Sequence, residues 1–272
     1  MPELPEVEAV RRRLAPVMEG AQFDRVVLRR KNLRRPFPRN FVRRLTSRTV
    51  LALRRRAKYL VAELSSGEAL LMHLGMSGSF NVDRTETGPD RQPEPHDHVV
   101  FHMSSGATIT FNDPRRFGLM DLVPRGGIDR TLAAMGPEPL EADFDGVRLA
   151  RACVGKRVSL KVALLDQQVV AGLGNIYVSE ALHRAGLSPR RLAATIATSS
   201  GRARPTAHRL AAAIKQVLQD AIAREALSSY RGSRFRVYDR EGEHCRTNGC
   251  GGTVKRISQA GRSTFYCPIC QR

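Results

Sequence analysis

Four cysteines stand together near the end of this 272-residue chain in the spacing Cys245-x4-Cys250-x16-Cys267-x2-Cys270. Two thiol pairs joined by a hairpin can meet at the corners of a tetrahedron, the geometry Zn2+ takes with sulfur. The predicted hairpin rises through residues 253–257, turns over Gln259-Ala260-Gly261-Arg262 and returns through residues 263–266. Four unrelated buried thiols would need a core that so polar a tail does not supply, whereas one structural zinc supplies about 10–16 kcal/mol in small finger peptides. Segregation of these four from Cys153 points to metal and not disulfide chemistry, in a reducing cytoplasm. Cys153, alone in an apolar helical run, reads as a structural thiol. Arg262 at the predicted hairpin tip, with Lys255 and Arg256 beside it, suits contact with a phosphate, although a lone arginine on a ribbon is often only solvated.

At the other end, Met1 precedes Pro2, a small residue that permits removal of the initiator methionine. Removal would leave a secondary amine, and an α-amino group titrates near 8, lower still beside a helix N-terminus. Such an amine attacks a sugar carbon well, and Glu3 beside it could shuttle protons. Taken alone, a Met-Pro-Glu start says little.

Charge narrows the partner. Lys and Arg number 45 against 26 Asp and Glu, a formal net charge of +19, with an isoelectric point near 10.9. A folded chain this basic is expected to bind a polyanion, foremost nucleic acid. Hydrophobic content of 42% excludes wholesale disorder, and no apolar run reaches the length of a membrane span. Glu3, Glu6 and Glu8 occupy the place where a secretory signal would be basic, so a cytoplasmic location is expected.

The elements that must position these residues follow from periodicity. Val7, Val10, Leu14 and Val17 predict an amphipathic helix over residues 5–18, closed by Gly20. Strand-like signals fill residues 23–123, namely 26–28, 49–53, 59–64, 69–72, 98–102 and 107–111, which implies a β-sandwich or barrel. Residues 83–95 read as a surface loop and 125–145 as an interdomain connection. Helical segments follow at 149–154, 160–165, 176–185 and 207–226. Asn175 stands where an N-cap belongs, and the glycines before it could offer backbone N–H groups to an anion.

Met1-Pro2-Glu3-Leu4-Pro5-Glu6-Val7-Glu8, Lys58-Tyr59-Leu60, His73-Leu74-Gly75-Met76-Ser77-Gly78, Asn112-Asp113-Pro114-Arg115-Arg116-Phe117-Gly118, the run Gly172-Leu173-Gly174-Asn175-Ile176-Tyr177-Val178-Ser179-Glu180-Ala181-Leu182 and the cysteine ribbon together resemble the formamidopyrimidine-DNA glycosylase family over nearly the whole chain. The resemblance implies an α+β multidomain fold: a two-layered β-sandwich with an N-terminal helix (1–125), a linker (126–147), a helix-two-turn-helix domain (148–234) and a β-hairpin zinc ribbon (235–272). It implies a bifunctional enzyme, expected to act as a monomer, that excises 8-oxoguanine and formamidopyrimidines from double-stranded DNA and cuts abasic sites by β,δ-elimination. By that likeness Pro2 is the nucleophile, Glu3 assists proton transfer, Lys58 is a catalytic or phosphate-binding lysine, and Arg262 joins Asn175 in gripping the phosphate at the lesion. Met76, Arg115 and Phe117 match the family's wedge, which fills the gap left by an extruded base. His73 and Lys161 are further phosphate contacts, each with an ordinary surface or core role as its alternative.

Two departures stand out. The first cysteine pair is spaced by four residues where the family's familiar spacing is two, and residues 227–235 form a shorter stretch than the one that usually covers the flipped 8-oxoguanine. The short stretch keeps open an endonuclease VIII-like enzyme for oxidised pyrimidines. A zinc-ribbon DNA-binding protein without catalysis is the alternative of another class.

Overall fold

The computed structural model describes residues 2–84, 92–124, 132–227 and 235–272. The expected loop at 83–95, the connection after residue 125 and the short stretch at 227–235 lie partly or wholly outside these. The chain divides into two compact units, Met1–Ala134 and Met135–Arg272.

Helix α1 (Leu4–Met18) opens the first unit and begins one residue earlier than periodicity suggests, because Glu3 is its N-cap. Eight strands follow: β1 (Phe23–Leu28), β2 (Val50–Arg56), β3 (Tyr59–Leu64), β4 (Glu68–His73), β5 (Ser79–Arg84), β6 (Asp97–Met103), β7 (Ala107–Asn112) and β8 (Leu119–Pro124). They pair antiparallel in two four-stranded sheets, ordered β1-β6-β7-β5 and β2-β3-β4-β8. Period-two alternation sends Phe101 and Met103 of β6, Ile109 and Phe111 of β7, Leu60 and Ala62 of β3 and Leu70 and Met72 of β4 into one shared core. Phe23 meets Phe101 edge-on at 5.2 Å between ring centroids, and Phe80 meets Phe111 at 4.9 Å. Val7, Leu14, Val17 and Met18 of α1 join the same core.

Strands β5 and β8 and the short helix α2 (Phe41–Leu45) are absent from the runs picked out by sequence. Each strand offers only two inward residues, Phe80 with Val82 and Met120 with Leu122, so the apolar runs are too thin to stand out. Helix α2 has five residues and buries just Phe41 and Leu45.

The second unit is helical before its terminal hairpin. Helix α3 (Gly146–Cys153) starts three residues before the predicted 149 because the Asp145 side chain accepts from the Arg148 amide at 2.8 Å. Ser159 caps α4 (Leu160–Leu165) in the same manner. Then come α5 (Asn175–Arg184) and the long α6 (Pro205–Leu227), which packs on both α3 and α5. The hairpin of β9 (Lys255–Gln259) and β10 (Arg262–Tyr266) packs on α5. No helix among the described residues is long and apolar enough to cross a membrane.

Truncating Phe101 to Ala should cost about 3–5 kcal/mol, since its fully buried ring packs on Phe23 within the core that both sheets share. Denaturant unfolding measures this, and a loss under about 1 kcal/mol would mean that the two sheets do not share a core.

Candidate nucleic-acid interface and metal centre

Pro2 lies half-buried just ahead of α1, anchored by the buried Leu4 and Pro5. Glu3 is 2% exposed, and with Glu6 it forms a capping box in which Glu6 Oε2 accepts from the Glu3 amide at 2.8 Å. The N-terminus of α1 therefore begins just after Pro2, with Glu3 and Glu6 at the same end. Further along α1, burial would raise the Glu8 carboxyl, but hydrogen bonds and charge from Arg11, Arg12 and Arg55 outweigh it and hold Glu8 below the usual carboxylate range. That cluster fixes α1 to β2.

Lys58 sits in the β2–β3 turn, where Ala57 takes a left-handed φ of 53°. Its neighbour Tyr59 pairs in register with His73 at the end of β4, the rings 4.8 Å apart. Burial first, then the charges of Lys58 and Arg34, push the His73 pKa down to about 4. His73 Nδ1 accepts from the Gly75 amide at 3.0 Å, so the neutral ring carries its proton on Nε2 and is a hydrogen-bond donor there. Two cations and one neutral donor thus share a small area, a composition that suits phosphate oxygens. Arg34 escaped the sequence reading, although it lies in the basic run from Arg29 to Arg35.

The connections after β4 and β7 carry Met76, Arg115 and Phe117. Met76 is 39% and Phe117 41% exposed, so the alternative of a core role is excluded for both. The Arg115 guanidinium lies 4.8 Å from the centre of the Phe117 ring. Gly75 has φ +64°, and a Cβ there would come within 2.3 Å of the Phe117 backbone, which only glycine permits.

In the second unit, Gln167 shapes the loop before α5: its Oε1 accepts from the Gly172 amide at 2.9 Å and its Nε2 donates to the Leu173 carbonyl at 2.9 Å. Asn175 is not the N-cap. Gly174 holds that position, and Asn175 Nδ2 donates across to the carbonyl of Ser263 at 3.0 Å. Lys161 has the core placement that was its alternative: it is fully buried, its Nζ donating to the Ser263 carbonyl at 2.9 Å and to Thr264 Oγ1 at 2.6 Å, so it braces β10. Arg262, exposed, is the first residue of β10 and not the tip; the turn is Ala260-Gly261, with φ of 48° and 71° as a two-residue hairpin turn requires.

The four cysteine sulfurs lie within 4.8 Å of one another, with Cys245 to Cys270 at 3.7 Å and Cys250 to Cys267 at 3.6 Å. A tetrahedron with metal–sulfur bonds of about 2.3 Å has edges of roughly 3.8 Å, so the donor set fits zinc, and the four-residue knuckle reaches as well as a shorter one. His183 of α5 brings Nε2 to 3.4 Å from Cys245 Sγ, within reach of a thiolate. Under the hairpin, Val237, Val254 and Phe265 form a small apolar cluster with Tyr238 packed against it. Glu180, quoted in the sequence only within a motif, anchors the entry to the ribbon: its carboxylate accepts from the amides of Arg236, Val237 and Tyr238 at 2.8, 2.9 and 2.9 Å. Cys153 is fully buried and its pKa is pushed up to about 11, chiefly by that burial, so it is an inert thiol.

Removing zinc with a strong chelator should abolish hydrogen-exchange protection over residues 255–266, and added Zn2+ should restore it; undiminished protection in metal-free protein would show that the apolar core suffices. His73 gives a pH prediction. With its folded pKa below the unfolded value of 6.5, the unfolded chain binds more protons between, so stability is complete above about pH 6.5 and declines as pH falls toward 4. His73→Gln should flatten that part of the stability–pH curve, which denaturant titrations at several pH values would reveal.

Family models match three successive parts of the chain: the formamidopyrimidine-DNA glycosylase N-terminal domain over residues 1–120, the H2TH domain of the same glycosylase over 135–231 and the zinc finger found in FPG and IleRS over 242–272. The formamidopyrimidine-DNA glycosylase of Bradyrhizobium sp. strain BTAi1 is 60% identical over 294 aligned positions, covering all of both chains, and that of Azorhizobium caulinodans is 54% identical over 293, again covering all of both. Among solved structures, MutM (Fpg) from Thermus thermophilus is 37% identical with a TM-score of 0.81, covering 99% of this chain and 98% of that one. The Lactococcus lactis enzyme non-covalently bound to DNA containing an AP site is 31% identical, with a TM-score of 0.82 and full coverage of both chains. Sandwich, helical unit and four-thiolate ribbon agree with these matches end to end, and the chain belongs to the formamidopyrimidine-DNA glycosylase family.

Proposed function

We propose that the protein excises oxidised purines, 8-oxoguanine and formamidopyrimidines, from double-stranded DNA and then cuts the abasic strand by β- and δ-elimination, acting as a monomer. The observation that carries this is Pro2, held at the positive end of α1 beside the buried Glu3. With Met1 removed, the neutral secondary amine attacks C1′ of the damaged nucleotide. The nitrogen–C1′ bond forms, the C1′–base bond breaks, and the base departs with a proton. A proton delivered to O4′ then breaks the C1′–O4′ bond, the sugar ring opens, and an iminium adduct remains on Pro2. Loss of a C2′ proton expels the 3′ phosphate, a second elimination expels the 5′ phosphate, and water frees the amine. Glu3 carries protons at the sugar.

Lys58, His73 and Arg34 hold backbone phosphates, and Asn175 with Arg262 grips the phosphate at the lesion. Asn175 has a second Nδ2 hydrogen beyond the one given to Ser263. Met76, Arg115 and Phe117 occupy the gap left by the extruded nucleotide. Zinc supplies folding of the ribbon and no reacting group. Relatives solved with DNA containing Fapy-dG and carbocyclic 8-oxo-G support the substrate class.

Borohydride reduction in the presence of abasic duplex should trap a covalent adduct on Pro2, and protein that keeps Met1 should form none; an adduct elsewhere, or none from processed protein, would overturn the mechanism. Glu3→Gln should lower base excision by about 10²–10⁴-fold. Excision from 8-oxoguanine:C should outpace that from thymine-glycol:A, the reverse result marking a pyrimidine enzyme.

A further inference from the structure

The sheet topology sets two connections side by side. The first, residues 74–78, leaves β4 in one sheet and enters β5 in the other; the second, residues 113–118, leaves β7 and enters β8. Since β4 pairs with β8 and β5 with β7, both connections cross between the same two strand pairs, with His73 opposite Leu119 and Ser79 opposite Asn112. The first carries Met76 and the second Arg115 and Phe117.

Asp113 begins the second connection and is completely buried. Its Oδ1 accepts from Ser77 Oγ at 2.6 Å and its Oδ2 from the Gly118 amide at 2.7 Å. Ser77 Oγ accepts in turn from the Arg115 amide at 3.2 Å. The Asp113 carbonyl receives the Arg116 amide at 3.2 Å and His98 Nε2 at 2.9 Å, and its amide donates to the His96 carbonyl at 3.0 Å. A buried carboxylate accepting such charge-assisted bonds fixes its donors more firmly than a neutral side chain could. Beneath it, the Phe111 ring lies where a Cβ on Gly78 or Gly118 would stand, at 2.8 and 2.7 Å. Close packing and one carboxylate thus tie together the residues on either side of Met76, Arg115 and Phe117.

We propose that Asp113, acting through Ser77, is the positioning residue that holds the two connections as one preformed wedge, so that opening of the duplex meets rigid side chains and not loops that must first order. This rests on the reading of Met76, Arg115 and Phe117 as the wedge. A preordered insert does not incur the ordering cost at the moment of base extrusion. The bond network contains no group that reacts with the sugar, so Asp113 matters for opening a duplex and not for chemistry on a nucleotide already exposed.

The test compares Asp113→Asn and Ser77→Ala with the parent protein. Asp113→Asn keeps shape but replaces one acceptor by a donor; Ser77→Ala removes the bridge to Arg115 and retains the carboxylate should the first variant fold poorly. Excision from an 8-oxoguanine:C duplex should fall about 10–100-fold in kcat for Asp113→Asn and several-fold for Ser77→Ala. Borohydride trapping on single-stranded abasic DNA should stay within about 2-fold for both. In a Phe117→Ala background, Asp113→Asn should add less than about 3-fold, because the wedge it positions is already incomplete. Equal losses in duplex excision and single-strand trapping, or full multiplication of the Phe117→Ala and Asp113→Asn effects, would overturn the proposal. If Phe117→Ala leaves duplex excision unchanged, the wedge assignment itself fails, and the positioning role falls with it.

Discussion

A carboxylate taken out of water must be surrounded by hydrogen-bond donors. In this protein the donors are often main-chain amides at places where the chain changes direction. Half-buried Glu6 accepts from the Glu3 amide just ahead of α1, buried Asp113 from Gly118, and buried Glu180 from three successive amides at the entry to the ribbon. Glu8, gripped by arginines, is the exception that ties α1 to β2. Acids used in this way fix loops from inside and leave much of the +19 excess on the surface, where a polyanion can meet it.

The two ends of the chain solve the problem of order differently. At the start, Leu4 and Pro5 are buried and the rest of α1 packs into a core of two sheets, so Pro2 is held by ordinary apolar packing. At the close, a small apolar cluster cannot hold a hairpin, and four sulfurs at tetrahedral spacing provide the missing constraint. His183 and Glu180, both on α5, link that hairpin to the helical unit through the metal ligands and through the backbone.

Much of this was legible in the residues. Helical periodicity placed α1, α4, α5 and α6 to within a few positions because each carries apolar residues at helical spacing, and cysteine spacing announced the metal site because few other arrangements of thiols serve a polar tail. What stayed hidden depends on long-range pairing. Asp113 and Glu180 read as ordinary acids until the fold brings the Ser77 hydroxyl to the first and the distant Val237 amide to the second. Lys161 shows the converse, since a lysine in a basic protein suggests the surface and only the packing of β10 reveals that it is enclosed. Asn175 was misplaced by one position because Gly174 adopts the extended backbone that an N-cap needs.

Lys161 and Asn175 both hold β10 by the carbonyl oxygen of Ser263. Every amino acid has that oxygen. This grip on the strand that begins at Arg262 therefore asks nothing of the side chain at 263, whereas at 161 and 175 it is the side-chain nitrogen itself that does the holding.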